Sequence, residues 1–345
     1  LQVGERGTGA ATLATVAAEA GVSRQTVSNA LNNPHLLRME TLARVQRAVE
    51  RLGYSPNRAA RSLRTQSSHL IGLRVEPVAE GTANALMDRF VHSLVESTRV
   101  VGYHVLLFSS DASTEDEDFL AGYDELLRSA AVDAFVVTDT YRGNPQATWL
   151  DKKGTPFVAF GRPWAEPLAT HPWVDVDGRA GVGLAVDHLV ERGHSRIAWI
   201  GWQKGSFIGE DRRCGWHDRM HEHGLSTSRL SARGEDGLDF GRRAAHALLE
   251  AEVPTAFVCV SDTIALGVLR ALGERGLLPG RDVAVVGFDD SIAAQVSPPG
   301  LTSVRQPLEQ VAVEIVRLLG DRLAHRPIPE PGCILAPTLS VRQTT

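Results

Sequence analysis

Two different periods of apolar residues divide this chain. Between residues 12 and 54 they recur every three to four positions: Leu13, Val16, Ala17 and Ala20, then Val27, Ala30 and Leu31, then Leu42, Val45, Val49 and Leu52. That spacing places each set on one face of a helix. Thr12 and Ser23 stand where N-caps belong, and Gly21 supplies the left-handed residue that ends a first helix before a second begins. Helix, tight glycine turn, helix is the spacing of a helix-turn-helix, with residues 39–54 as a third, bracing helix. From His69 onward the pattern changes to short, nearly continuous apolar runs at 70–75, 104–110, 133–139, 156–161, 196–201, 255–261 and 282–289. Amphipathic stretches at 83–101, 115–130, 178–192, 207–223, 239–251 and 263–275 lie between them. Apolar strands alternating with helices predict parallel sheets covered on both faces, and the length favours two such subdomains over one very wide sheet.

Charge sharpens the same boundary. Residues 1–66 hold nine arginines and no lysine against four glutamates, a balance of +5, whereas the whole chain stands at −5, so the remainder carries −10. A small basic module on an acidic body is a nucleic-acid footprint. The helix that follows Ser23 opens with Arg24 and Gln25, which suit guanine and adenine edges in a major groove, while Thr26, Ser28 and Asn32 suit phosphate oxygens. Between the two halves runs SPNRAARSLRTQ (55–66). Ser55 can cap and Pro56 can open a short helix reaching about Arg64, with Arg58, Arg61 and Arg64 available to phosphates and a lone apolar Leu63. Isolated helices of fewer than about 12–15 residues are marginal in water, so this one is expected to order only when docked.

Composition narrows the function. No apolar run reaches the roughly 18–20 residues of a membrane span. The opening LQVGERGTGA has no apolar export core, so a cytoplasmic protein is expected. Cys214, Cys259 and Cys333 are odd in number and widely spaced, indicating neither a disulfide framework nor a zinc site. The phosphate-loop, zinc-protease and nucleophile-elbow motifs are missing, and GRAGVGLAVD has Val186 where a dinucleotide fingerprint needs a third glycine. His221 and His223 in HEHG are two apart and point to different faces of a helix, against a metal site. No catalytic residue, metal or cofactor is expected.

The combination VAAEAGVSRQTVSNALNN…RVQRAVERLGYSPNRAARSL resembles the DNA-binding headpiece of the lactose-repressor/galactose-repressor family of bacterial transcription regulators, almost throughout residues 12–64. VDVDGRAGVGLAVDHLVERGHSRIAWIG, SDTIALGVLRALGERGLLPGRDVAVVGFDDS and PPGLTSVRQPLEQVAVEIVRLL resemble long stretches of its core, in the family's order. The resemblance implies a disordered tail (1–10), a helix-turn-helix domain (11–55), a hinge helix (56–66) and an effector-binding and dimerising core (69–345). The core would be periplasmic-binding-protein-like: one subdomain of about 69–174 and 301–332, the other of about 175–299 and 333–345. It further implies that Arg24, Gln25 and Asn29 read bases, and that Thr12, Ser23, Thr26, Ser28, Asn32, Tyr54, Asn57 and Arg58 hold phosphates. Ala60 and Leu63 would enter the minor groove, Leu63 as a wedge between base steps.

In such cores the ligand lies beyond the C-terminal ends of the strands. Arg212, Asp262 and Asp289 fall at family positions that hold ligand hydroxyls, with Asp177, Trp202 and Arg162 as further contacts. Trp164, Trp173 and Trp202 offer aromatic faces to a sugar ring. The chain departs from the family in two places: LRMET replaces Val-Ser-Pro-Glu-Thr before the third helix, and Gly178 stands where Asn is common. The expected protein is a homodimeric repressor of carbohydrate-utilisation genes, bound to pseudo-palindromic double-stranded operator DNA and controlled by a small carbohydrate. A chain ending at LSVRQTT without a heptad-bearing helix favours a dimer over a tetramer. A sugar-binding protein on the same core, or a regulator that needs a purine-type corepressor, are the alternatives.

Overall fold

A computed structural model of the chain describes residues 11–54, 67–75, 85–109, 116–138, 140, 145–164, 166 and 169–345. They belong to two compact units, Leu1–Ser68 and His69–Thr345. The expected tail (1–10) and hinge helix (56–66) lie outside the described residues.

The N-terminal unit contains α1 (Leu13–Ala20), α2 (Arg24–Asn32) and α3 (Met39–Leu52), with a single 3₁₀ turn at Pro34–Leu36. Thr12 caps α1 reciprocally: its hydroxyl accepts from the Thr15 amide, and its own amide donates to the Thr15 hydroxyl at 2.8 Å. Gly21, at φ 63°, ends α1 and returns its amide to the helix's last carbonyls. Ser23 caps α2 by accepting from the Thr26 amide at 3.1 Å. Val16, Ala17, Ala20, Val27, Val45 and Ala48 form the buried centre, the faces that the helical spacing assigned. Arg38, in the LRMET departure, precedes α3 without a side-chain cap bond and is exposed.

The second unit has two lobes, each built on a six-stranded sheet. The first sheet runs β11 (Gly332–Leu335), β5 (Trp173–Val176), β4 (Phe157–Phe160), β3 (Ala134–Val137), β1 (Leu70–Arg74), β2 (His104–Phe108), with every pairing parallel. The second runs β12 (Thr338–Ser340), β10 (Thr302–Arg305), β9 (Ala284–Phe288), β8 (Ala256–Cys259), β6 (Ile197–Trp202), β7 (Ser231–Gly234), parallel except for β12 against β10. Central strands such as AFVV and AFVC are buried along their whole length because helices cover both faces. In each sheet the strand order reverses beside the first strand of the lobe, between β1 and β3 and between β6 and β8. These are the switch points where open α/β sheets hold ligands.

The chain crosses between lobes at Asp177, at Gln306–Pro307 and between β11 and β12. Boundaries expected at 174/175, near 300 and at 332/333 therefore fall short. β5 runs through Val176. β10 pairs with β9 of the second sheet. β11 pairs with β5 of the first. Helix Leu308–Leu323 returns to cover the first sheet through Leu308, Val311, Ala312 and Ile315.

Second-lobe helices approach closely through glycine. A Cβ on Gly267, in helix Asp262–Glu274, would collide with the Leu238 carbonyl and lie 2.9 Å from the Arg242 amide of helix Leu238–Ala251. Backbone cannot yield as a flexible side chain does, so Gly267→Ala is expected to lower stability by about 1–3 kcal/mol, read as a lower urea midpoint for the core transition. An unchanged midpoint would mean that the two helices separate without penalty.

Candidate DNA-binding face and effector cleft

On the N-terminal unit, Arg24 and Gln25 lie exposed on the first turn of α2, and Asn29 lies one turn on. The Gln25 Nε2 donates to Asn29 Oδ1 at 3.2 Å, so these two amides share one face. Thr12 and Ser23 mark the N-termini of α1 and α2, where free amides and the helix dipole favour phosphate. Thr26 Oγ1 lies 2.9 Å from Ser23 Oγ, and Asn32 Nδ2 donates to the Ser28 carbonyl at 2.7 Å. Tyr54 packs against the helical core at the end of the unit. Asn57, Arg58, Ala60 and Leu63 lie outside the described residues.

In the second unit the sequence-predicted cleft residues separate into two groups. Arg212, from helix Phe207–Glu222, is 5% exposed, donates to the Val260 carbonyl at 2.7 Å and places Nη1 4.0 Å from Asp289 Oδ1. Its guanidinium lies 3.6 Å over the Phe288 ring and 5.4 Å from the Trp202 ring. Burial lowers its pKa, opposed by Asp289, Asp175, Asp211 and Asp236. Burial also pushes Asp289 up to about 7 against the pull of Arg212, while its carboxylate accepts from Gln306 Nε2 at 2.8 Å.

Next to this core stands Arg162, just past β4. It donates through Nε to Asp175 at 2.5 Å, lies 4.0 Å from Asp211 of the second lobe, and stacks 4.6 Å over the Trp164 ring. Trp164 in turn stacks on Phe207, with ring centroids 6.2 Å apart, so an aromatic wall joins the lobes. Three buried donors in this neighbourhood, Arg212 Nε, Trp202 Nε1 and Trp164 Nε1, have no hydrogen-bond partner among the described residues. Gly178 belongs here too: a Cβ there would lie 3.0 Å from Arg212 Cγ, so the family's Asn would crowd this guanidinium as it stands.

The other residues are engaged within the protein. Asp262 is 3% exposed, and both carboxylate oxygens are occupied: Ser291 N–H donates at 2.7 Å and the Ser303 hydroxyl at 2.6 Å. It pins the segment after β9 to the start of a helix, and at 3% exposure it presents little surface for the expected ligand contact. The neighbouring Ser261, whose hydroxyl donates to Asp236 at 2.6 Å, stands at the switch point instead. Asp236 follows β7, a strand too short and polar (SARG) to stand out in the sequence. Asp177 caps helix Gly178–Glu191 by accepting from the Ala180 amide at 2.8 Å. Trp173 begins β5 and packs in the first-lobe core, at the wrong end of its strand for the cleft. His223 of HEHG is 2.7 Å from Asp187, and no acidic, histidine or cysteine cluster suited to a metal occurs among the described residues.

Burial raises the Asp262 pKa to about 6, with the Ser303 and Ser291 hydrogen bonds pulling the other way. The folded value exceeds the ordinary 3.8, so between these values the folded chain holds more of this proton than the unfolded chain does. The stability from this carboxyl is complete below about 3.8, is lost as pH rises to about 6, and is flat above. Urea unfolding of wild type and Asp262→Asn should show a stability difference that narrows over that window. A difference that widens with pH would mean the fold depends on the ionised carboxylate.

Comparison with known proteins places both units. Residues 12–57 match the model described as bacterial regulatory proteins, lacI family, and residues 186–345 match a periplasmic binding protein-like domain. The transcriptional regulator CelR of Thermobifida fusca is 34% identical over 339 residues, covering 96% of this chain and 98% of that protein. GalR of Escherichia coli K12 is 31% identical over 340 residues, covering 97% and 95%. These relatives are transcriptional regulators, not enzymes. Among solved structures, a CelR–cellobiose complex aligns with a TM-score of 0.73 at 32% identity, covering 97% of this chain and all of that one. The lac repressor dimer bound to operator and the anti-inducer ONPF aligns at 0.82 and 26% identity, covering 97% and 99%. A headpiece with the family's helix-turn-helix, carried ahead of a two-lobed core that matches along nearly its whole length, leaves one assignment: the chain belongs to the lacI family of bacterial regulatory proteins.

Proposed function

We propose that this regulator is a cytoplasmic homodimeric repressor whose operator affinity is set by a small sugar, with a β-linked glucose disaccharide of the cellobiose type as the first candidate. The observation that carries the sugar reading is a set of three buried, unpartnered donors: Arg212 Nε beside the Asp289 carboxylate, Trp202 Nε1 on the ring near Arg212, and Trp164 Nε1 on the ring under Arg162. Leaving a buried N–H unsatisfied costs about 1–3 kcal/mol, so the cleft favours a ligand rich in oxygen acceptors. Hydroxyls serve both sides, accepting from the donors and donating to Asp289. The aromatic wall Trp164–Phe207 adds apolar area suited to a second sugar ring. A cellobiose complex of a 32%-identical structure agrees with that choice.

On the DNA side, Arg24, Gln25 and Asn29 would read the half-site while Thr12, Ser23, Thr26, Ser28, Asn32 and Tyr54 hold phosphates. Asn57 and Arg58 would extend those contacts, and Ala60 and Leu63 would pair with their dimer mates in the minor groove. Two-fold symmetry then requires a pseudo-palindromic operator. Val95, Val100 and Val101 at the end of helix Ala85–Val100, with Leu107 on edge strand β2, are exposed apolar residues that a second copy would cover.

A gel-shift panel of sugars that includes cellobiose should release wild type from its selected operator. Trp202→Phe keeps a ring and deletes one donor, so its half-maximal cellobiose concentration should rise by about 5–10-fold, a loss of about 1–1.5 kcal/mol. Arg212→Ala should bind operator and ignore sugar altogether. Normal release in both variants would refute this cleft assignment. Arg24→Ala should relax base preference at one operator position by about 1–3 kcal/mol, read by selection from a randomised duplex library, and an unchanged preference would remove Arg24 from the reading set.

A further inference from the structure

The residue at the centre of the cleft is held partly from the opposite lobe. Asp289 has φ 111° and Asp290 φ 51°, two successive left-handed non-glycine residues at the end of β9. Such backbone persists only where its surroundings over-determine it. Asp290 is held within the second lobe by Ser303, Gln295, Ser340 and Arg342. Asp289 has three fasteners from that lobe: its amide donates to the Val304 carbonyl at 2.8 Å, its carboxylate accepts from Gln306, and Arg212 lies 4.0 Å away. The fourth crosses over. Arg89 Nη1 donates to the Asp289 carbonyl at 3.2 Å.

Arg89 stands on helix Ala85–Val100, which packs on the first sheet through Phe90 and Leu94. Its second arm donates to Glu309 at 3.3 Å, on the helix that covers the same sheet. Glu309 also lies 3.6 Å from Arg305, and Arg305 reaches 4.0 Å to Asp290. The circuit Asp289–Arg89–Glu309–Arg305–Asp290 thus closes on the strained pair from both sides. Among the described residues, Arg89 is the only first-lobe donor with a hydrogen bond to this pair.

We infer that Arg89 is a positioning residue of the effector cleft: it fixes the left-handed backbone of Asp289, and hence the aim of its carboxylate, only while the two lobes are apposed. The role rests on the reading of Asp289 as a cleft acceptor. It makes lobe apposition and the aim of Asp289 one variable, so a ligand gripped by that carboxylate is read directly by helix Ala85–Val100.

Hydrogen exchange of the full chain, with no sugar or DNA present, tests the device independently of the effector's identity. In Arg89→Met the amides of residues 289–291 should exchange about 10-fold faster, while those of β8 keep wild-type rates. Arg89→Lys, which retains one donor for the carbonyl, should fall between, and Glu309→Gln should accelerate the same amides less than Arg89→Met does. Wild-type rates at 289–291 in Arg89→Met would overturn the inference, and so would equal acceleration across β8 and β9, which marks a residue that merely supports the fold. Failure of sugar release in the gel-shift panel would strike the ligand reading and leave this measurement standing.

Discussion

The buried guanidinium of Arg212 is the constraint around which the second unit is organised. A charge at 5% exposure stands in the protein interior only if carboxylates and hydrogen-bond acceptors replace the water it has lost. Here that replacement comes from several directions: the Val260 carbonyl at the end of β8, Asp289 at the end of β9, the face of Phe288, and more distant Asp175, Asp211 and Asp236. These groups converge only because parallel strands end side by side at a switch point. Moving any one strand by a residue would turn its terminal side chain to the other face. The compensation is also unequal in a useful way, since one side of the guanidinium is satisfied by protein and Nε is not.

How much of this could be read beforehand follows from which forces are local. Helix caps are local: Thr12, Ser23 and Gly21 act within four residues, and the structure places all three at the ends their positions predict. Fully buried strands announce themselves as apolar runs, so β1, β3, β4, β8 and β9 are legible. β5 (WVDV), β7 (SARG), β10 (TSVR), β11 and β12 are not: β3, β4 and β8 are as short, but these five carry polar residues or glycine among their apolar ones. They exist through pairing with strands distant in the chain, β11 with β5 above all, and strand pairing leaves no periodic trace. The misplaced lobe boundaries have that single cause.

The cleft shows the same division. Arg212 and Asp289 are legible through the family resemblance, and the structure brings them within 4.0 Å. Asp262 was legible as a polar strand end, but two serines separated from it by 29 and 41 positions occupy its carboxylate. Asp236 was hidden behind the unseen β7, and Arg89 gave no signal because an arginine on an amphipathic helix is ordinarily a solvated face. Sequence position tells which side chains reach the ends of strands, whereas the hydrogen bonds that satisfy them there decide which remain free for a ligand.

That remainder also bounds what a ligand can do. An effector shifts two arrangements of the lobes only by the difference in its affinity for them, and a hundredfold change in operator affinity requires about 2.7 kcal/mol. Satisfying two buried donors at about 1–3 kcal/mol each supplies energy on that scale, without any contact outside the cleft. Whether such energy acts differentially depends on whether the donors keep their places in both arrangements. Trp164 belongs to the first lobe, whereas Trp202 and Arg212 belong to the second, and the stacked Trp164–Phe207 pair spans the two. A ligand that accepts from Trp164 and Arg212 together can do so in only one spacing of the lobes. On the proposed reading, donors spread across the two lobes would make affinity conditional on geometry, whereas the same three on one lobe would bind equally well in every arrangement and shift nothing.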